Sequence, residues 1–302
     1  MKKVLFVGRQ LAGEKNDVVQ LAQAVGAAEA TLNIEYGFFE EVVIKAATGN
    51  VSVQLRKSES VINLIGFETI VLIGWSHSRI YTDLAAAIAK FAASQNIQVW
   101  NSELINARSM TKVSQMVVAA LNHVTIPKTV FSLNSDTLKT AAEAEVGYPH
   151  VLKDSEASRG RWNFLINSQE ELDNKLSEHK RHFMVQEYIE NDHFDYRILV
   201  AGGEPVLCIK RKGTDKSHLN NISSGAVPEL VDLTRLPHKL IKDSVAIAKL
   251  FHRELCGLDF IENKKNGELI FLEINLTPQI VNGVYIEEKA RSLSKALMKE
   301  EK

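Results

Sequence analysis

The chain places a carboxylate and an amide two residues apart, Glu273 and Asn275, at the end of the apolar run ELIFLEIN (268–275). A preceding apolar run, GLDFIE (257–262), carries Asp259 and is joined to it by the polar stretch NKKNG, which indicates a β-hairpin. Side chains two apart on a strand share a face, and carboxylate and amide oxygens suit Mg²⁺. Solvated polar residues at a strand end are the alternative interpretation.

Whether Asp259 joins Glu273 depends on the hairpin loop. A two-residue turn would pair Asp259 with Ile274 and put its side chain on the opposite face. A three-residue loop, 265–267, with Gly267 in the left-handed conformation, would pair Asp259 with Glu273. A metal site made from these side chains therefore predicts a loop with an odd number of residues.

The elements of the first third of the chain follow from hydrophobic spacing. KVLFVG, FETIVLIG and IQVWN have the pattern of buried strands, and NDVVQLAQAVGAA and LAAAIAKFAASQN have apolar residues at helical spacing. Strands that alternate with helices predict a parallel sheet of Rossmann-like type over residues 1–105. This stretch has no G-x-G-x-x-G, so a dinucleotide site is not indicated. The loops VGRQ and GWSHSRIY follow strand ends and are candidate substrate loops, with ordinary connections as the alternative.

The remaining two thirds divide into two further units. Residues 106–182 form a small α+β unit, with strands in IPKTVFS, YPHVLKD and NFLIN and helices in SMTKVSQMVVAALNHV, SDTLKTAAEAEVG and SQEELDNKLSEH. Residues 183–302 are rich in strands and contain the helices HKLIKDSVAIAKLFHREL and EEKARSLSKALMKEE. The long polar connection KGTDKSHLNNISSGA, residues 212–226, is a candidate functional loop.

Composition excludes several classes of protein. The 302 residues, 45% hydrophobic and 24% charged, suit a globular protein of two or three packed units. The net charge of -1 provides no field to recruit nucleic acid or an anionic membrane. No apolar run is long enough to span a bilayer, and the short run in MKKVLFVG fits a first strand better than a signal peptide. Cys208 and Cys256 lie in apolar stretches without framework or metal spacing, so we expect a cytoplasmic protein.

Polar residues recur at strand ends in a fixed order: VLK, MVQEYIENDHFDYRILV, IKRKG and then the hairpin. Together they resemble the ATP-grasp superfamily, and within it the carboxylate–amine ligases similar to RimK and glutathione synthetase. The resemblance covers essentially the whole chain. It implies an ATP-grasp fold that combines α/β and α+β units: a Rossmann-like pre-ATP-grasp domain (1–105), a small central lid domain (106–182) and a C-terminal domain with a metal site (183–302).

The resemblance also implies roles for individual side chains, each of which has a plain structural alternative. Among the ATP-binding residues, Lys112 and Lys153 would bind the phosphates, and Arg159 would belong to the phosphate-covering loop. The adenine hinge would consist of Gln186, Glu187, Tyr188 and Ile189, and the acid that contacts the ribose would be Asp195. Arg211 would stabilise the transferring phosphoryl group, Asn221 would lie near the γ-phosphate, and Arg197 would contact substrate or form a structural ion pair. The metal ligands would be Asp259, Glu273 and Asn275.

The activity implied by this resemblance is the ATP-dependent ligation of a carboxylate to an amine through an acyl phosphate, with release of ADP and phosphate. It would use ATP and two Mg²⁺ ions, for which Mn²⁺ would substitute. The amine acceptor would be an amino acid, a peptide or a protein tail. Relatives commonly assemble as homo-oligomers. The alternatives are a non-catalytic ATP-binding or regulatory module and a ligase that uses a thiol or hydroxyl acceptor.

Three positions depart from the family pattern. The phosphate-covering loop SEASRGRWNF has a single glycine, Gly160, so closure over phosphates relies on hydroxyl and guanidinium donors or is weaker. Leu219 stands where relatives often carry an arginine, and Gly225-Ala226 stands where they often have two glycines. These last two departures fall where the acceptor would lie, so acceptor specificity does not carry over.

Overall fold

The computed structural model describes most of the chain: residues 1–10, 17–106, 111–157, 161–213, 225–275, 278, 280 and 283–299. Arg159 and Asn221, which the sequence analysis assigns to the phosphate-covering loop and to the surroundings of the γ-phosphate, lie outside these residues. Among the helices in these ranges, none combines the length and the apolar character of a membrane span.

The amino-terminal unit is built on a parallel sheet. Its elements are β1 (Lys2–Gly8), α1 (Asp17–Ala28), β2 (Leu32–Phe38), β3 (Val42–Ala47), β4 (Asn50–Arg56), β5 (Val61–Asn63), β6 (Thr69–Leu72), α2 (Arg79–Ser94) and β7 (Gln98–Trp100). The parallel sheet has the order β2-β1-β6-β7, and the residues of β1 alternate between two cores because both faces of the sheet are covered. The sequence predicts β1, β6 and β7. It does not identify β2 or the antiparallel sheet β3-β4-β5.

The second unit is a four-stranded antiparallel sheet covered by helices on one face. Its elements are α3 (Lys112–Leu121), β8 (Thr129–Phe131), α4 (Ser135–Glu145), β9 (His150–Asp154), β10 (Asn163–Ile166), α5 (Gln169–Glu178) and β11 (Phe183–Glu187). The order is β10-β9-β11-β8, so β11 joins this sheet although the sequence analysis starts the C-terminal unit at residue 183. Leu152 and Val185 pack under α4 and α5. Lys153 and Gln186, one residue further, therefore lie on the opposite face.

The third unit is a five-stranded antiparallel sheet with the order β14-β13-β12-β15-β16. Its elements are β12 (Phe194–Ala201), β13 (Glu204–Lys212), β14 (Val227–Val231), α6 (His238–Leu250), β15 (Leu255–Glu262), β16 (Leu269–Asn275) and α7 (Ile286–Met298). One face packs against α6 and α3. On the other face α7 covers Leu199 and Leu207, and it also packs on α1, where the Ser294 hydroxyl donates to the Val25 carbonyl at 3.1 Å. The rest of that second face carries the charged residues described next.

Candidate active site

The hairpin β15–β16 brings two of the predicted metal ligands directly opposite each other. Asp259 pairs with Glu273, and Gly257 pairs with Asn275. Because side chains at paired positions share a face, the carboxylates of Asp259 and Glu273 stand side by side, with Asn275 two residues further along β16. The Asn275 amide nitrogen lies 3.5 Å from Asp259 Oδ2 and 3.4 Å from the Gly257 carbonyl oxygen.

The predicted odd-numbered loop is wrong, although Gly267 does adopt the left-handed conformation with φ 69°. Glu262 pairs with Leu269, and the Asn263 N–H donates to the Glu268 carbonyl at 2.9 Å, so the loop between Asn263 and Glu268 has four residues, an even number. An irregularity inside the strand pairing compensates for the even loop and keeps Asp259 opposite Glu273. The register shifts by one residue between Asp259 and Phe260, which makes Leu272 an extra residue on β16.

Two arginines of the neighbouring strands hold the carboxylates of this face. Arg197 binds Asp259 through two hydrogen bonds, of which Nη2–Oδ2 measures 2.7 Å. Arg211 binds Asp195 in the same way at 2.6 and 2.7 Å, and its Nη2 also lies 3.2 Å from Asp259 Oδ2. Paired guanidinium and carboxylate groups of this geometry are strongly directional. The predicted ribose-contacting acid, Asp195, therefore has both carboxylate oxygens bound to Arg211 in this structure.

Burial and charge act against each other in this cluster. Burial by itself would raise the pKa of Asp259, but the charges of Arg197 and Arg211 outweigh it and hold that pKa at about 2. Burial raises the pKa of Asp195, which has one arginine partner for both oxygens. Asp259 is thus ionised at neutral pH, which is the form that a cation requires, and binding a cation would require it to exchange a bond with Arg197 or Arg211.

The donor set fits a magnesium ion. Glu273 is half-buried, and its side chain makes no hydrogen bond or ion pair within the described part of the chain. The contacts of Asn275 use its amide nitrogen, so its oxygen is the atom available to a cation. No group of three or more His, Cys, Asp or Glu side chains suited to a metal occurs among the described residues, so an oxygen set of two carboxylates and an amide is the candidate.

The second sheet faces this cluster with cations. The charges of Glu273 and Asp259 both act on Lys153 of β9: burial lowers the pKa of Lys153, Glu273 opposes that effect and Lys112 adds to it. Lys112, the first residue of α3, lies 3.4 Å from the Asp154 carbonyl oxygen through its Nζ. Lys153 therefore lies near the carboxylates, and Lys112, the other predicted phosphate-binding lysine, lies near Lys153.

Beside the charged cluster lies a small apolar patch next to the predicted adenine hinge. Ile189 packs with Ile261 and Ile270, and Leu272 covers the same patch. The Ile189 N–H donates to no acceptor among the described residues. Gln186 is 1% exposed; its side-chain nitrogen donates to Thr129 at 2.9 Å, and its buried side-chain oxygen has no hydrogen-bond partner in the described structure.

Two residues near the site are absent from the sequence-based assignments. The buried Asp154 accepts hydrogen bonds from the N–H groups of Glu156 and Ala157, at 2.8 and 2.6 Å, and from Arg181, so it fixes the start of the predicted phosphate-covering loop. Lys289 of α7 is buried, and burial, followed by the charge of Arg197, lowers its pKa to about 8. An aspartate after a strand followed by a polar loop was the available signal for Asp154. Lys289 had none.

Gly257 gives Arg197 the room to reach Asp259. A Cβ at this position would lie 3.1 Å from Arg197 Cδ and 3.5 Å from Pro278 Cβ. We therefore expect Gly257→Ala to displace the guanidinium and to lower the free energy of unfolding by about 1–3 kcal/mol, the usual cost of overpacking. Urea unfolding measures this, with Gly26→Ala in α1 as the control, because a Cβ there meets nothing within 4 Å. Equal stability of Gly257→Ala and wild type would contradict the expectation.

The model of the family described as RimK-like ATP-grasp domain matches residues 108–290, more than half of the chain. The matched residues include β9, the hinge, the arginines and the hairpin with its three oxygen-bearing side chains. The chain therefore belongs to the RimK-like ATP-grasp family.

One curated relative and two solved structures show what this chain is similar to. A probable alpha-L-glutamate ligase of Marinomonas sp. strain MWYL1 is 28% identical over 182 residues, and the match spans only 59% of the length of each protein. The RiPP-associated ATP-grasp ligase of Chryseobacterium gregarium, solved with ADP and a leader and core peptide, superposes with a TM-score of 0.70 at 16% identity, covering 98% of this chain and 96% of its own. The ATP-grasp ligase PsnB, solved with a phosphomimetic precursor variant, Mg and ADP, gives 0.70 at 14%, with 98% and 97% covered. The predicted ATP-grasp fold is confirmed.

Proposed function

We propose that this protein is an ATP-dependent carboxylate–amine ligase. The observation that carries the proposal is the position of Asp259, Glu273 and Asn275 on one face of the five-stranded sheet, opposite Lys153 of the lid sheet. ATP-grasp ligases use ATP and magnesium, and the chain's own residues provide an oxygen donor set beside cations suited to phosphates.

The nucleotide is proposed to lie between the two sheets. Its adenine packs on the apolar patch of Ile261 and Leu272, and the main chain of Glu187 and Ile189 reads its edge, with Tyr188 completing the hinge. The unpartnered oxygen of Gln186 is a suitable acceptor for the amino group of adenine. Lys112, Lys153 and Arg159 contact the phosphates. Contact of Asp195 with the ribose requires the carboxylate to exchange one of its bonds with Arg211.

Asp259, Glu273 and Asn275 would hold magnesium, and we propose two ions, with manganese as a substitute. When bound, the metal neutralises charge on the β- and γ-phosphates. A carboxylate oxygen of the acid substrate then attacks the γ-phosphorus, the bond to the β-phosphate oxygen breaks, and ADP leaves. The amine nitrogen attacks the acyl carbon of the acyl phosphate, loses a proton and expels inorganic phosphate. Arg211 stabilises the transferring phosphoryl group, and Arg197 and Asn221 orient the substrate.

The substrates are proposed at the level of their chemistry. The acceptor is an amine of an amino acid, a peptide or a protein tail. A peptide acceptor is consistent with the similar ligase from Chryseobacterium gregarium, which was solved with a leader and core peptide. We further propose a cytoplasmic location, which the two buried unpaired thiols and the use of ATP support, and a homo-oligomeric state like that common among relatives.

ADP release, assayed with pools of amino acids and of short peptides, tests the proposal. Stimulation by one pool together with formation of a new amide, detected by mass spectrometry, supports the ligase. A thioester or ester product would identify a thiol or hydroxyl acceptor instead. Binding of ATP without turnover in any pool would identify a non-catalytic module and contradict the proposal.

Lys153→Gln provides a separate prediction. A hydrogen bond to a charged group contributes about 1.5–3 kcal/mol, so we expect the Kd for ADP in the presence of magnesium to rise by about 10–100-fold. The control is Lys139→Gln, because Lys139 of the same unit pairs with Asp136 and Asp173 at 2.9 and 3.0 Å. Isothermal titration calorimetry measures both. An unchanged Kd in Lys153→Gln would remove this lysine from the phosphate site.

A further inference from the structure

The residue between two of the proposed metal ligands is held by its main chain. Ile274 separates Glu273 from Asn275, and its N–H donates to Gln115 Oε1 at 3.1 Å while its carbonyl accepts from Gln115 Nε2 at 3.2 Å. The same carbonyl accepts from Arg253 Nη1 at 3.2 Å. Three hydrogen bonds from two side chains therefore fix the peptide groups on either side of Ile274, and those peptide groups set the direction of the neighbouring side chains.

Arg253 is in turn held by an acid from the amino-terminal unit. Its Nε donates to Glu103 Oε1 at 3.0 Å, and the two side chains are only 1% and 2% exposed. Glu103 belongs to the single helical turn Ser102–Asn106 that follows β7, and its second oxygen has no hydrogen-bond partner in the described structure. Burial raises the pKa of Glu103 to about 7, against the charge of Arg253.

Stability alone does not account for this pair. Replacing a buried ion pair by apolar side chains of similar volume is often neutral or stabilising, because desolvation offsets the attraction of the charges. What an apolar pair could not provide is the hydrogen bond to the Ile274 carbonyl. Arg253 therefore donates a hydrogen bond to the strand that carries the proposed metal ligands, and Glu103, about 150 positions away in sequence, holds Arg253 in place.

We propose that Arg253 and Gln115 are positioning residues of the metal site, and that Glu103 orients Arg253, so that docking of the amino-terminal unit sets the geometry of Glu273 and Asn275. This inference rests on the proposed function, since it assigns these residues a part in holding the metal. Residues that orient metal ligands from behind change metal affinity by about 10–100-fold when replaced.

Binding of Mn²⁺ in the presence of saturating ADP, followed by electron paramagnetic resonance, tests the proposal without turnover. We expect Arg253→Met and Gln115→Met each to weaken Mn²⁺ binding by about 10-fold or more, because both keep the volume but lose the bond to Ile274. Arg253→Lys keeps one donor and should recover part of the loss. Gln115 and Arg253 lie on different elements, so one variant remains informative if the other does not fold.

Glu254→Gln is the matched control. Glu254 also links the amino-terminal unit, since its carboxylate accepts from the N–H groups of Asn101 and Ser102 at 2.5 and 2.8 Å, but it makes no hydrogen bond to Ile274 in the described structure. It should leave Mn²⁺ affinity within about 2-fold of wild type, because its hydrogen bonds go to Asn101 and Ser102 and none of them reaches Arg253, Gln115 or Ile274. Equal losses in Glu254→Gln and Arg253→Met, or unchanged affinity in both methionine variants, would overturn the positioning role. Failure of the wild type itself to bind Mn²⁺ with ADP would instead overturn the proposed function.

Discussion

Glu273→Gln is expected to lower the rate of ADP release by about 10³-fold, because a metal contributes several kcal/mol of charge stabilisation and each 1.36 kcal/mol is a factor of ten in rate. The free energy of unfolding should stay within about 0.5 kcal/mol of the wild type. Within the described residues the Glu273 side chain makes no hydrogen bond or ion pair and acts on Lys153 only through its charge, so the folded chain without metal loses little when that charge is removed. Initial rates at saturating ATP, and urea unfolding of the metal-free protein, measure the two quantities.

Glu262→Gln is the control for this prediction. Glu262 lies at the end of the partner strand β15, three residues beyond Asp259, and pairs with Leu269. It carries the same charge in the same hairpin without facing Glu273, so its rate of ADP release should equal that of the wild type. If Glu273→Gln retained full activity at limiting Mg²⁺, Glu273 would not be a metal ligand. If both variants lost activity equally, the effect would reflect the charge of the hairpin as a whole.

The hairpin also shows what the sequence could and could not predict. Apolar runs and the NKKNG stretch are local signals, and they correctly predict two paired strands with Gly267 in the left-handed conformation. No local sequence pattern predicts the register shift that makes Leu272 an extra residue. It lies in an uninterrupted apolar run, and its position is set by packing, since Ile270 packs with Ile189 of the proposed hinge while Phe271 packs in the core under α6. The three-residue loop correctly predicts that Asp259 pairs with Glu273, but in the structure this pairing results from the register shift and not from the length of the loop.

The other differences have the same physical origin. Strand β11 pairs with β9, which precedes it by about thirty residues, and no pattern in its own sequence tells which sheet it joins. The missed antiparallel sheet had a local signal in the alternation of Val51, Val53 and Leu55 after the Thr48-Gly49 turn. The ion pairs of Arg197 and Arg211 depend on the register of three strands. The sequence indicates which charged residues lie at strand ends, and only the register determines their partners.

Asp259→Asn should differ from Glu273→Gln because it removes a proposed metal ligand and also breaks a buried network. Asp259 is 4% exposed and binds both Arg197 and Arg211, so the substitution leaves the buried guanidinium of Arg211 and the partly buried one of Arg197 with the single carboxylate of Asp195. Loss of one partner from a buried ion pair costs about 3–5 kcal/mol, and we expect a decrease of that size in the free energy of unfolding, together with loss of ADP release. Asp243→Asn is the control, because Asp243 pairs with the exposed Lys239 on α6 and should change stability by less than about 1 kcal/mol.

The pH dependence of the metal-free protein separates the two roles of Asp259. Its pKa is about 2 in the folded chain and 3.8 in an unperturbed chain, so the unfolded state takes up the proton first as the pH falls. The stabilisation from ionised Asp259 is therefore fully present above about pH 5 and is lost progressively as the pH approaches 2, by about 2 kcal/mol for this shift. The difference in urea midpoint between wild type and Asp259→Asn should narrow over that range. A difference that stays constant down to pH 2 would show that the ion pairs with Arg197 and Arg211 do not stabilise the fold.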